Sequence, residues 1–286
     1  MGYYEFKTRR YKKIKGVERK TLKRETNYTE MNIAEIVKNK DTLIAQKKAN
    51  MKCADGVAVA MIPSDLVIKE PQYDGSVIQV KAVINTTNLM DSHNDVHFPG
   101  LWTKSLGENR MVMHLQEHDM KFEKIISDGA DLNAYVQTYT WEQLGYKYPG
   151  STQALVFDST IKAERNSFMM NQYKKGNVKN HSVGMQYVKL ILAVNDPQYG
   201  AEHEAWEKYY PMIANKETAD SVGYFWAVTE AKVIEGSAVP LGSNFATPTL
   251  EIKEPEKSTP ISIEPPVGTQ LTEKEFINIL KTELWN

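Results

Sequence analysis

The sequence predicts an α+β domain: a compact mixed β-barrel with a few flanking helices, a helical N-terminal extension and a Pro-rich C-terminal one. Three observations carry that reading. β-Rich runs dominate the middle of the chain, at 57–61, 77–84, 154–161, 178–192 and 222–239. Helical periodicity is confined to short stretches, at 29–52, at 163–175 and within 195–221. Composition shifts at both ends, to a basic arm before residue 28 and to a Pro, Glu, Ser and Thr-rich stretch after Ala246. The organisation expected is therefore a basic arm and helical extension over 1–56, a folded domain over 57–247, a linker over 248–270 and a short amphipathic helix over 271–286.

In the extension, Met31, Ile33, Ile36, Val37, Leu43 and Ile44 make a broken helical stripe, with a division expected at Asp41-Thr42. Residues 111–118 alternate as a strand, with Met111, Met113 and Leu115 on one face and His114, Gln116 and His118 on the other. Residues 127–153 read as turn-rich. The stripe in 163–175 turns Phe168, Met169 and Tyr173 inward and stops at Gly176. Within 195–221, Trp206 and Tyr210 stand at i,i+4 spacing. The last helix begins with a capping box, Thr272 and Glu275, and a hydrophobic staple, Leu271 and Phe276. Its stripe of Phe276, Ile277, Leu280 and Leu284 is too short to be stable alone and calls for a docking surface.

Charge and composition narrow the function classes. With 41% apolar and 25% charged residues the chain reads as an ordinary globular protein. No run approaches the roughly 18 apolar residues of a membrane helix, so no membrane partner is expected. The single cysteine, Cys53, excludes an internal disulfide. The net charge of −1 hides ten Lys or Arg within residues 1–24, beside only Glu5 and Glu18. Such an arm suits nucleic acid or an acidic protein surface, and equally a solvated terminus.

Three separated segments could carry chemistry: 115–119 (Leu-Gln-Glu-His-Asp), 180–185 (Asn-His-Ser-Val-Gly-Met) and 232–244. A serine hydroxyl needs a base within hydrogen-bond reach, and the base needs an orienting partner. On a strand, Val183, Met185 and Tyr187 face the core while Ser182, Gly184 and Gln186 face outward. Gly184 then leaves room for a substrate backbone to approach. His118 points away from an apolar face. No glycine-rich loop announces an oxyanion site.

These segments, with residues 90–102 (Met-Asp-Ser-His-Asn-Asp-Val-His-Phe-Pro-Gly-Leu-Trp), resemble the tailed-phage prohead proteases. In that family an Asp-rich turn leads to Asp-Val-x-x-Pro-Gly, matched here by Asp95 to Gly100. An apolar strand ends in His-Asp, matched by His118-Asp119. Then come Ser-[Ile/Val]-Gly, matched by Ser182 to Gly184, and Glu-Val-Ser-x-Val leading to an asparagine, matched by Glu235 to Val239 and by Asn244. Order and spacing agree across about 80–247. The chain departs at Met120 to Lys124, where the family has Pro-Ile-Gly, and at Gly242, where it has proline.

The family is similar in fold to the herpesvirus assemblins, so the resemblance implies an assemblin-like barrel. It also implies a serine endopeptidase that cleaves phage scaffold and major capsid proteins, and itself, during prohead maturation. Ser182 would be the nucleophile, His118 the base and Glu235 its orienting acid. No cofactor or metal is implied, and the protein would work as a homo-oligomer inside the immature prohead in the host cytoplasm.

Three other readings stay open. His114-x-x-Glu117-His118 fits the H-x-x-E-H pattern of zinc peptidases if the segment is helical. Asp91, His93, Asp95 and His97 share one face of an extended segment and could hold a divalent ion. A phage head structural protein on the same fold, without chemistry, is the non-enzymatic alternative.

Overall fold

The computed structural model describes residues 32–49, 76–108 and 111–254. The basic arm, the 57–61 run, most of the Pro-rich linker and the 271–286 helix lie outside the described residues.

Two sheets, rather than a closed barrel, form the body. The first has the order β5-β6-β1-β9, built from β1 (Val77–Thr86), β5 (Leu132–Thr140), β6 (Ser151–Lys162) and β9 (Thr249–Lys253). The second has the path β2-β8-β3-β4, built from β2 (Asp95–His97), β3 (Met113–Gln116), β4 (Ile125–Asp128) and β8 (Tyr224–Val239), with β7 (Asn180–Val194) on β8. The sixteen-residue β8 is the axis: β2 and β3 run parallel to its two ends, and β7 runs antiparallel along its whole length. Inward side chains of both sheets, among them Ile78, Ile84, Phe157, Val183, Met185 and Val233, share one buried cluster.

Helices cover this body. α1 (Ile33–Lys38) starts at Asn32, whose side chain accepts the Glu35 amide, and the break before α2 (Lys40–Ala49) falls at Asn39, two residues before the expected one. Both helices join the core through Ile36 and Leu43, so the N-terminal helices are part of the folded body. α3 (Thr103–Gly107) is short, while α5 (Gly200–Tyr209) and α6 (Lys216–Val222) fill the 195–221 insertion. There Trp206 stacks on Tyr210 with ring centroids 4.8 Å apart.

Lys47 of α2 reaches the fully buried Asp95 at 2.5 Å, where the Tyr187 hydroxyl also donates at 2.5 Å. Burial pushes the Asp95 carboxyl up, but the Lys47 charge and hydrogen bonds, with that of Tyr187, more than offset this and hold it below its ordinary value.

Other expectations need correction. The turn-rich reading of 127–153 hid β5, an edge strand whose outer residues are polar and whose turn-like flanks are short 3₁₀ segments. Residues 249–253 read as linker, yet they form β9 and pair with β1. In α4 (Ala163–Lys174), Met169, Met170 and Tyr173 point inward but Phe168 is 57% exposed. The cause is Asn166, whose non-helical φ of −153° breaks the phase, and whose side chain caps the continuing helix by accepting from the Met169 amide.

Candidate active site

The site is assembled where β3, β8 and β7 lie side by side. Glu235 and Ser237 are two residues apart on β8 and therefore share a face. On β7, Ser182 is directly opposite Ser237 and Gly184 directly opposite Glu235, so all four lie on that face. The intervening Gly236 faces the core, where a Cβ would come within 2.5 Å of Phe157.

Gly184 has a specific reason to be glycine. A Cβ there would stand 1.9 Å from Glu235 Oε1, so the space beside Ser182 is filled by the Glu235 carboxylate. The sequence-based role for Gly184, room for a substrate backbone, is replaced by room for this carboxylate.

Opposite, β3 pairs with β8 up to Gln116 and then turns sharply. Glu117 and His118 both adopt left-handed backbone, with φ of 57° and 59°. The Asp119 amide donates to the Gln116 carbonyl at 3.1 Å, which closes a type I′ turn. That turn ordinarily takes Asn and Gly, and each non-Gly residue in the left-handed region costs on the order of 1 kcal/mol. The surroundings enforce it: the Glu117 amide donates to the Ala238 carbonyl at 3.0 Å and the His118 amide to Ser237 Oγ at 3.0 Å. His118 thus sits on a strained turn beyond the strand, not on the strand as its alternation suggests.

The turn brings His118 Nδ1 to 2.6 Å from Glu235 Oε1, and Ser237 Oγ donates to Glu235 Oε2 at 2.6 Å. Glu235 and Ser237 are completely buried, whereas the His118 side chain keeps 27% of its surface. With a carboxylate accepting at Nδ1, the neutral ring carries its proton there and presents an Nε2 lone pair. Ser182 is half-buried on the same face. Among the described residues no hydrogen bond joins Ser182 to His118.

The two histidines nearest the site in sequence, His181 and His114, are both withdrawn into the core. His181 Nδ1 lies 2.9 Å from the Thr247 carbonyl, and its Nε2 lies 3.0 Å from the Tyr173 hydroxyl. His114 is held 2.8 Å from Ser159 Oγ and 3.0 Å from the same tyrosine. Burial pushes His181 down to about 4 and His114 well below its ordinary value, so both are neutral bridges in a core network. Asn244 is also structural: its amide donates to the Thr86 carbonyl at 2.9 Å and anchors the loop after β8.

The metal readings do not assemble. His114 is buried, Glu117 is exposed and His118 is bound to Glu235, because the segment is a strand and turn instead of a helix. Asp95 is taken by Lys47 and Tyr187, His97 Nδ1 meets Asn85 at 2.9 Å, and His93 is more than half exposed. Among the described residues no cluster of three or more His, Cys, Asp or Glu is placed to hold a metal ion. None of the described helices is long and apolar enough to cross a membrane.

A groove of about 200 Å³ opens beside the turn, walled by Glu117, Phe168, Met169, Val178, Val239 and Pro240. Its position follows from the fold: Glu117 precedes His118, and Val239 and Pro240 continue the strand that carries Glu235 and Ser237. Ser237 was the functional candidate that residue-by-residue reading left without a role. The signal available was its Glu-x-Ser spacing on a strand, which puts it on the Glu235 face. No protein family, curated protein or solved structure matched the chain.

Proposed function

We propose that this chain is a serine endopeptidase in which Ser182 attacks the scissile carbonyl, His118 takes its proton at Nε2 and Glu235 orients and stabilises the ring. The observation that carries the reading is the 2.6 Å contact between His118 Nδ1 and the fully buried Glu235, on the sheet face that also bears Ser182. A buried carboxylate tied to a part-exposed histidine by a strained turn is costly to build for stability alone. In the reaction, the Ser182 oxygen forms a bond to the carbonyl carbon as its proton passes to His118. Collapse expels the amine, which leaves with that proton. Water, deprotonated by the same ring, then hydrolyses the Ser182 ester.

The ordered motifs from Asp91 to Asn244 suggest the setting: maturation of a tailed-phage prohead, with scaffold and major capsid proteins and the protease itself as substrates. In this reading the enzyme acts as a homo-oligomer inside the immature head, in the host cytoplasm, and its basic arm contacts acidic protein or nucleic acid there. The test is co-expression with capsid and scaffold proteins from the same source, read by intact mass. Wild type should yield trimmed products and Ser182→Ala only full-length chains. Trimming by a folded Ser182→Ala protein would remove Ser182 from the mechanism. No trimming by either would favour a non-enzymatic head protein.

A further inference from the structure

We infer that Ser237 is a positioning residue of this site, clamping the base-bearing turn and the orienting carboxylate together with one hydroxyl. The inference rests on the serine-peptidase reading for what is positioned, but its geometry is independent of that reading.

Ser237 Oγ makes two hydrogen bonds of opposite sense. It accepts from the His118 amide at 3.0 Å and donates to Glu235 Oε2 at 2.6 Å. One atom thereby fixes both ends of the 2.6 Å contact between the ring and the carboxylate. Each end has one further hold: the Glu117 amide donates to the Ala238 carbonyl at 3.0 Å, and Glu235 Oε1 meets the ring itself. The backbone at Glu117 and His118 is left-handed without glycine, so relief of strain pulls the turn away from this geometry. The Glu235 carboxylate stands in the space left by Gly184, and Ser237 is the partner of its second oxygen. A hydroxyl is suited to the task because it accepts and donates at once. Alanine would do neither, and would leave a backbone N–H and a carboxylate oxygen in the interior with one partner fewer.

Ser237 is completely buried and cannot itself meet a substrate, so it acts only through His118 and Glu235. Its place opposite Ser182 on the paired strand completes the arrangement: nucleophile on β7, clamp and acid on β8, base on the turn after β3.

The experiment compares wild type, Ser237→Ala, Ser237→Thr and Ser237→Ala in a Glu235→Gln background. One readout is the rate of phosphonylation of Ser182 by a small fluorophosphonate. The other is the NMR signal of the His118 Nδ1 proton in its contact with Glu235, which needs no turnover. Ser237→Ala should slow phosphonylation on the order of 10- to 100-fold, a part of what a placed base contributes. It should also shift the NMR signal of the His118 Nδ1 proton, because the ring and the carboxylate lose the hydroxyl that sets their contact. Ser237→Thr, which keeps the hydroxyl, should restore both. In the Glu235→Gln background the alanine should cost little further, since the two residues act as one unit. Should Ser237→Ala prove insoluble, Ser237→Cys carries the same test, because a thiol keeps the shape and weakens both bonds. A lowered melting temperature with an unmoved His118 Nδ1 proton signal and an unchanged phosphonylation rate would make Ser237 merely structural and overturn the inference. If wild type is never phosphonylated, the peptidase reading fails, while the Nδ1 proton signal still decides the role of Ser237.

Discussion

Gly184→Ala is the smallest change that should dismantle the site. The added methyl carbon would lie 1.9 Å from Glu235 Oε1 and 2.6 Å from its carboxyl carbon, whereas real Cβ atoms essentially never approach such atoms within 3.0 Å. Glu235 must therefore retreat by about 1 Å, and a displacement of that size at a catalytic group costs about 10²-fold in rate. The carboxylate has no free direction, because one oxygen is held at 2.6 Å by His118 and the other at 2.6 Å by Ser237. Overpacking costs about 1–3 kcal/mol, and weakening a hydrogen bond to a charged group adds roughly 1.5–3 kcal/mol. The melting temperature should then fall by roughly 10 °C for a body of this size. Thermal denaturation and the rate of phosphonylation at Ser182 measure the two effects. Glu235→Asp, one methylene shorter, should recover stability in the Gly184→Ala background, although it is destabilising alone. A Gly184→Ala protein with wild-type melting and wild-type labelling would refute the placement of Glu235 against β7.

Other outcomes follow from the same packing. Lys47→Met should leave the buried Asp95 charge without its cation and cost about 3–5 kcal/mol; an unchanged melting temperature would mean that α2 does not dock on Asp95 as described. Stability should fall as pH drops from the ordinary histidine value of 6.5 toward about 4, because the unfolded chain takes up a proton that the buried His181 refuses. That loss amounts to about 3 kcal/mol from His181, with His114 adding to it, and it should be absent above pH 6.5; denaturant titrations at several pH values read it. Phe168→Ala should weaken the capture of peptide substrate more than it slows turnover, since Phe168 is an exposed wall of the groove beside the turn. An unchanged KM would separate that groove from substrate binding.

How far the sequence foretold this molecule depends on whether a feature is written in one segment or in the pairing of two. The long strands β7 and β8 carry their own periodicity, and they lie within about two residues of where the pattern puts them; in the insertion the Trp206–Tyr210 spacing announces α5, while α6 has no such signal. The proximity of Glu235 to His118 was anticipated only through the order of motifs, because 117 residues separate them. The turn at Glu117 and His118 has no Asn or Gly to announce it, and only the bonds to Ala238 and Ser237 enforce it. Gly184 beside a candidate nucleophile invited a substrate-facing role, and only the strand register shows that Glu235 occupies the space. Phe168 was placed by an unbroken helical phase that Asn166 interrupts. β5 was missed because an edge strand with one solvated face lacks a strong apolar signature.

The central claim is that Ser182 is activated by a histidine held from behind by a buried glutamate. The most direct measurement is mass spectrometry of the intact protein after reaction with a small fluorophosphonate, followed by peptide mapping, for wild type, His118→Ala and Glu235→Gln. The account predicts a single adduct on Ser182, slowed at least about 10²-fold without the His118 base and slowed less strongly by Glu235→Gln. Labelling elsewhere, or labelling of Ser182 at the same rate without His118, would contradict it.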